Sequence, residues 1–322
     1  MLTPVAVHAD AGAGIGLGHA IRCCGLAQAL RRLGFDVVFI NTAGDDLHDF
    51  LSPQGLNDQI CLPSSEAIAQ TARRMGAGLL IADSYRLDRA ELAKEAAELK
   101  LAWFDDTATQ APLADVIING SPAASALPYV LPTTVLPLLG AKYQVVRPGL
   151  SAHPRAIPVQ RLLVTYGGSD PKAVGPVLAS CLPRDLAVDF VVGPFAPVPA
   201  NLPDGINLHH NPATMADLIN RADLAISAGG QTLFELAAAR VPTLAIGIGD
   251  DQRPNLHWLE RHGALIFAGW ADDPALALSV RRHLAALRND DDRRHALATT
   301  AHSLIDGHGA DRIALALKQL LT

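Results

Sequence analysis

The chain has 322 residues, 49% of them hydrophobic and 18% charged. At roughly 150 residues per domain, this predicts two packed domains and excludes intrinsic disorder, which needs the opposite balance. Lys and Arg number 26 against 32 Asp and Glu, a formal net charge of −6, so no nucleic-acid partner is expected, because such binding draws on many phosphate-neutralising cations. No apolar run approaches the roughly 18 residues of a membrane helix. The first Lys or Arg is Arg22, which argues against a signal peptide. Cys23, Cys24, Cys61 and Cys181 show neither metal-site nor disulfide-framework spacing. The expectation is a cytoplasmic protein without a membrane partner, bound metal or cofactor, present as a monomer or weak dimer.

Short β-branched runs alternate with Ala/Leu-rich amphipathic segments. Strands are expected at Val5–Ala9, Val37–Asn41, Leu79–Asp83, Leu101–Phe104 and Val116–Asn119, and helices at His19–Leu33, Ser65–Met75 and Asp88–Leu99. In the first helix Ile21, Leu26, Ala29, Leu30 and Leu33 recur at helical spacing, and Gly34 marks its end. The stretch from Pro122 to Pro158 breaks this rhythm and reads as linker plus irregular crossover. A second alternation follows. Its strands are Leu162–Tyr166, Val188–Val192, Leu224–Ser227, Val241–Ile246 and Ala264–Phe267. Its helices are Lys172–Leu182, Met215–Arg221, Thr232–Arg240, Arg253–His262 and Pro274–Leu287, then a helical tail interrupted at Gly307 and Gly309. The pattern predicts two α/β domains, 1–150 and 151–322, each a doubly wound parallel sheet, with the last helix free to pack back on the first domain. Such sheets bind ligands at the carboxyl ends of their strands, so two domains facing each other would form a cleft there.

The first strand runs into Asp10-Ala-Gly-Ala-Gly-Ile-Gly-Leu-Gly-His19. Glycines between strand and helix let backbone N–H groups approach a ligand. Gly12, Gly14, Gly16 and Gly18 alternate, so no choice satisfies the dinucleotide spacing, and the second strand ends at Asn41 without the acid an NAD ribose needs. His19 opens the first helix, whose positive end disfavours the protonated ring; a neutral imidazole there accepts a proton from water, oriented by Asp10 across the loop. The alternative is a histidine that merely caps the helix. Arg22 lies one turn on, to contact phosphate or solvent. Asp83-Ser-Tyr85 and Asp105-Asp106 end strands of the first domain and are candidates to line the cleft, the two adjacent acids diverging.

In the second half, Thr165-Tyr-Gly-Gly-Ser-Asp-Pro171 and Ser227-Ala-Gly-Gly-Gln-Thr-Leu-Phe-Glu235 each read as strand, Gly-Gly turn and helix. Gly168, Ser169, Gly229, Gly230, Gln231 and Thr232 are candidates to present donors to a diphosphate. Glu235, a turn into its helix, is a candidate to accept both hydroxyls of a ribose, or else a solvated first-turn acid. Pro171 suits the first position of a helix, with Ser169 or Asp170 as its cap. Gln252 and Asn255, after the next strand, suit sugar hydroxyl or acetamido groups, or else form a polar turn and cap.

Taken in order, HADAGAGIGLGHAIRC, LLVTYGGSDP, ISAGGQTLFEL and GDDQRPN resemble the UDP-sugar hydrolase (PseG) family of pseudaminic-acid biosynthesis over nearly the whole chain. The resemblance implies the two-domain glycosyltransferase-B (GT-B) fold and metal-independent hydrolysis of a UDP-diacetamido-trideoxy sugar serving a surface glycan. His19 matches the family's catalytic histidine. Gly168, Ser169, Gly229, Gly230, Gln231, Thr232 and Glu235 match its UDP-holding loops, and Gln252 and Asn255 the motif beside the sugar. Asp10 joins His19 as a catalytic candidate, and Gly16, Gly18, Arg22, Asp83 and Tyr85 are substrate-binding candidates. His8, Arg86, Asp251 and Gly149 depart from the family pattern, mostly where the sugar rather than UDP is read. A GT-B glycosyltransferase and a non-catalytic nucleotide-sugar-binding partner are the alternatives.

Overall fold

The computed structural model describes residues 3–11, 18–42, 51–62 and 67–321. The chain divides into two compact units, Met1–Arg147 with His308–Thr322, and Pro148–Gly307.

The described strands of the first unit form one parallel sheet in the order β3-β2-β1-β4-β5-β6-β7. They are β1 (Val5–Ala9), β2 (Val37–Asn41), β3 (Gln59–Cys61), β4 (Leu79–Asp83), β5 (Lys100–Phe104), β6 (Val116–Asn119) and β7 (Leu136–Leu139). Every residue of β1 and β4 is buried, as expected of parallel strands covered on both faces. On one face Val5, Val7 and Ala9 pack with Leu26 and Leu30 of helix Gly18–Arg32 and with Ile313 and Leu317 of helix Gly309–Leu321. Full burial of each leucine contributes about 2 kcal/mol over leaving it in water. On the other face Ala6, Leu80 and Ala82 pack with helices Ile68–Arg74 and Arg89–Glu95. Gly34, at φ 90°, ends the first helix with its N–H on the Arg31 carbonyl.

The stretch from Pro122 to Pro158 is not the linker its composition suggests. It contains β7, which pairs with β6, and two short helical turns, Pro122–Ala126 and Ala141–Tyr143. Tyr143 and Val145 pack in the core with the final helix.

The described strands of the second unit are β8 (Arg161–Thr165), β9 (Ala187–Val192), β10 (Asn207–His210), β11 (Leu224–Ala228), β12 (Thr243–Gly247) and β13 (Ile266–Trp270), in the parallel order β10-β9-β8-β11-β12-β13. This repeats the Rossmann order 3-2-1-4-5-6. Leu162 and Val164 face a core with Leu178, Val280 and Leu284, while Leu163 faces Leu218, Ile219 and Leu236. In each unit the strand order reverses where the first strand meets the fourth: β1 beside β4, and β8 beside β11. At such a switch point the flanking loops part and leave room for a ligand.

Candidate active site

In the first unit, helix Gly18–Arg32 starts above the carboxyl ends of β1 and β4. His19 Nδ1 lies 2.5 Å from Asp83 Oδ1, and the ring is 8% exposed. An ionised carboxylate only accepts, so Nδ1 carries the proton and donates, leaving the Nε2 lone pair as the ring's basic position. Asp83, 0% exposed, also accepts from Arg22 Nε at 2.5 Å and Arg22 Nη2 at 2.6 Å. The guanidinium makes a second fork to Asp106, Nη1 to Oδ1 at 2.9 Å and Nη2 to Oδ2 at 2.8 Å. It also sits 4.7 Å from the centre of the Phe104 ring. Tyr85 donates its hydroxyl to Asp106 Oδ2 at 2.8 Å and meets the His19 ring edge-on, centroids 4.7 Å apart.

These contacts set the charges. Burial raises the Asp83 carboxyl, but Arg22 and His19 beside it prevail and hold it well below the usual carboxylate range. Burial likewise pushes up the Cys23 thiol, 3.6 Å from Asp83, and takes Cys24 up to about 12, so neither is a ready nucleophile.

Three expectations for this unit are corrected. Asp10 does not orient His19; it accepts from Ser84 Oγ and the Tyr85 N–H, both at 2.9 Å, and lies 3.6 Å from His8 Nε2. The carboxylate on the ring is Asp83, because β4 ends level with Ala9 and its last side chain rises under the helix start. Arg22, half-buried, has no free edge for phosphate: both edges of its guanidinium are taken by Asp83 and Asp106. Asp83, expected from the sequence to touch substrate, instead has its carboxylate on the His19 ring and the Arg22 guanidinium. Tyr85 remains 63% exposed at the strand end. Gly18 opens the helix, and Gly16 lies outside the described residues. Asp106 was visible only as one of two adjacent acids at a strand end. Asp105 and Asp106 do diverge, Asp105 turning to Arg89 at 3.1 Å.

In the second unit, turns follow the adjacent strands β8, β11 and β12. Gly167 adopts φ 96°, turning the chain after β8. The turn is braced by its neighbour after β9: a Cβ on Gly193 would lie 2.2 Å from the Gly167 carbonyl oxygen, and the Phe195 N–H donates to the Gly168 carbonyl at 2.9 Å. Ser169 is exposed. Pro171 does not open the next helix, which spans Val174–Ala179; Asp170 instead accepts from the Val174 and Gly175 N–H groups, both at 2.8 Å.

After β11, Gly230 caps helix Gln231–Ala238. Gly229 is not a diphosphate donor here, because its N–H donates to the Ile246 carbonyl at 3.1 Å. Its role is close approach: a Cβ there would meet the Leu256 side chain at 2.8 Å. Gln231 and Thr232 occupy the first turn of that helix. Glu235 is 0% exposed, which removes the solvated-acid alternative. After β12, Gln252 Oε1 accepts from the Ile248 N–H at 3.0 Å, closing the turn, and Asn255 follows in helix Arg253–Arg261. The carboxyl ends of three neighbouring strands thus carry Gly168 and Ser169, Gly230 to Glu235, and Gln252 and Asn255.

Among the described residues no group of His, Cys, Asp and Glu is arranged to hold a metal, and no helix is long and apolar enough to cross a membrane.

No family model matches the chain. It is 25% identical over 345 residues, 98% of each chain, to the spore coat polysaccharide biosynthesis protein SpsG of Bacillus subtilis. It is 25% identical over 256 residues to the pseudaminic acid cytidylyltransferase and UDP-2,4-diacetamido-2,4,6-trideoxy-beta-L-altropyranose hydrolase of Helicobacter pylori, which covers 77% of this chain. An uncharacterized protein of Methanocaldococcus jannaschii is 24% identical over 275 residues. The matched region spans about half the length of these last two relatives, 45% and 56%. Among solved structures, the spinosyn forosaminyltransferase SpnP superposes with a TM-score of 0.68 at 15% identity over 100% of both chains. The spinosyn rhamnosyltransferase SpnG complexed with thymidine diphosphate gives 0.63 at 16% identity over 99% of this chain and 100% of that one. These likenesses and the two parallel sheets identify the architecture: the chain has the GT-B fold, two Rossmann-like α/β units in tandem.

Proposed function

We propose that the chain is a nucleotide-sugar enzyme that releases UDP from a UDP-diacetamido-trideoxy sugar by water attack at the anomeric carbon. The observation that carries the reading is the His19–Asp83 pair. A buried carboxylate 2.5 Å from Nδ1 selects the tautomer whose Nε2 accepts a proton, at the switch point where this fold class binds its ligands. In the second unit, the turn at Gly168 and Ser169 and the helix start at Gly230, Gln231 and Thr232 hold the diphosphate, and Glu235 takes the ribose. Gln252, Asn255 and Tyr85 contact the sugar. Water loses a proton to His19 Nε2 as its oxygen bonds to the anomeric carbon. The bond from that carbon to the β-phosphate oxygen breaks, and its electron pair leaves on UDP. The helix start stabilises the charge growing on that oxygen. Attack opposite the leaving group inverts the anomeric configuration. The likeness to a protein whose name includes a UDP-sugar hydrolase, together with the quoted motifs, supports this substrate class.

The test is turnover in heavy-oxygen water with the phosphates analysed, because the anomeric hydroxyl of the free sugar exchanges oxygen through its open-chain form. The reading predicts unlabelled UDP; label in UDP or UMP phosphate overturns it. A second reading, a glycosyltransferase delivering the sugar to an acceptor hydroxyl, is supported by the fold of the spinosyn glycosyltransferases. UDP release by the enzyme alone separates the two. A binding partner without catalysis would need tight UDP binding and no turnover.

A further inference from the structure

Tyr85 is more than half exposed, yet it is held at three places. Its N–H donates to Asp10 Oδ2 at 2.9 Å. Ser84 Oγ closes the turn around it, donating to Asp10 Oδ1 at 2.9 Å and accepting from the Arg86 and Leu87 N–H groups, both at 3.0 Å. Its ring meets His19 edge-on with centroids 4.7 Å apart, and its hydroxyl donates to Asp106 Oδ2 at 2.8 Å. Core packing does not account for this restraint, because most of the residue's surface lies in water. An exposed aromatic with a polar tip, fixed in advance, is instead suited to recognition.

The phenol has one hydrogen to give and lone pairs that accept, and it keeps that hydrogen at neutral pH. Here the hydrogen is committed. Asp106, forked by Arg22, is a carboxylate and only accepts. Turning the hydrogen outward would leave two oxygens 2.8 Å apart with nothing between them. It would also give up a bond to a charged acceptor, which is the stronger kind. Among the described residues no donor is paired with the Tyr85 oxygen. What the side chain can offer a ligand is therefore an acceptor.

We infer that Tyr85 is a specificity residue that reads a hydrogen-bond donor on the sugar. Its oxygen accepts from a hydroxyl or an acylamino N–H, and it has no hydrogen for a carbonyl. An acylamino group at this position presents its N–H to Tyr85 and turns its carbonyl away. A sugar carrying an ester or a halogen there meets lone pair with lone pair and is disfavoured.

The inference rests on the proposed contact between Tyr85 and the sugar, and its test reads binding, so that it does not depend on hydrolysis. The probe is a UDP-diacetamido-trideoxy sugar whose anomeric oxygen is replaced by methylene, which water attack cannot release. In its analogues each sugar hydroxyl in turn becomes fluorine and each acetamido N–H an ester oxygen, changes that remove the hydrogen and nearly keep the size. Calorimetry measures Kd for wild type and Tyr85→Phe, which keeps the exposed ring. Tyr85→Phe is expected to bind the probe about tenfold more weakly, the loss of one hydrogen bond. One analogue is expected to lose about tenfold in wild type and less than about twofold in Tyr85→Phe. A merely structural tyrosine would not couple to a single hydrogen of the ligand. Unchanged affinity of Tyr85→Phe for the probe overturns the inference, and so does the absence of coupling at every position. Coupling only to analogues whose acetamido carbonyl is replaced by methylene also overturns it, because Tyr85 would then be a donor. Coupling to a hydroxyl or N–H in a wild type that releases no UDP from the natural linkage leaves the inference standing and removes the hydrolase reading. UDP release without coupling does the reverse.

Discussion

Replacing Asp83 by asparagine keeps the side-chain shape and removes the acceptor pattern on which His19 and Arg22 both depend. The native carboxylate accepts three short bonds, from His19 Nδ1 at 2.5 Å and from Arg22 at 2.5 and 2.6 Å, with no exposure to water. An amide accepts through one atom only. Turned with its NH2 toward Arg22, it sets two donors against each other; turned toward His19, it donates to Nδ1 and drives the ring proton to Nε2. Removing one partner of a buried ion pair costs about 3–5 kcal/mol when the other is left unpaired. Arg22 keeps Asp106, so the expected loss is near the lower end, about 3 kcal/mol. Activity is expected to fall about 10³- to 10⁴-fold in kcat, the scale seen when the carboxylate of a His–Asp pair becomes an amide.

The pH dependence follows from the same contacts. Arg22 and His19 overcome the effect of burial and depress the folded Asp83 value. A depressed carboxyl stabilises the fold above its unfolded value, about 3.9, and that contribution is lost as pH falls through the folded value. The stability gap between wild type and Asp83→Asn is thus steady near neutral pH and narrows below about pH 4. Urea unfolding followed by far-ultraviolet circular dichroism across this range, alongside kcat, measures both effects. A variant within about 1 kcal/mol of wild type at pH 7 and within threefold in kcat would refute the reasoning.

Other substitutions probe other parts. Gly193→Ala places a Cβ 2.2 Å from the Gly167 carbonyl oxygen and 2.5 Å from Gly168 Cα; overpacking of this kind costs about 1–3 kcal/mol. UDP affinity by calorimetry is expected to drop about tenfold, and an unchanged Kd would detach this turn from the nucleotide. Glu235→Gln, at a fully buried position, is predicted to weaken uridine nucleotides about tenfold more than their 2′,3′-dideoxy analogues, the loss of one charged hydrogen bond; equal weakening of both argues against the ribose role. Iodoacetamide on the native protein is expected to alkylate exposed Cys61 and spare buried Cys23, Cys24 and Cys181, with activity retained. Mass-spectrometric labelling of Cys23 with loss of activity would make it a candidate nucleophile.

What the sequence conceals follows from where each element sits. β1, β2, β4 and β6 match their expected residues because strands inside a parallel sheet read as continuous apolar runs. The strands not foreseen, β3, β7 and β10, are all at sheet edges. Gln59–Cys61 is short and only partly buried, Asn207–His210 is largely exposed, and Leu136–Leu139 carries Pro137. An edge strand needs no second covering face and tolerates proline, so its sequence loses the signal that marks its neighbours. The catalytic candidate shows the same division. His19 and the Gly-Gly turns are local patterns and were legible. Their partners lie far along the chain, Asp83 64 residues and Asp106 84 residues from the side chains they hold. Asp10 was the nearer carboxylate in sequence, yet the β1–β4 register delivers Asp83 to the ring.

If His19, with its Nδ1 held by Asp83, activates water against a UDP-linked sugar, loss of its imidazole must slow UDP release. Single-turnover release of UDP from a UDP-diacetamido-trideoxy sugar, without acceptor, comparing wild type with His19→Asn, tests it most directly. The wild type is expected to release UDP stoichiometrically, with the sugar first appearing as the inverted anomer, and the variant to release it at least about 10²-fold more slowly. Equal rates in the two proteins would contradict it.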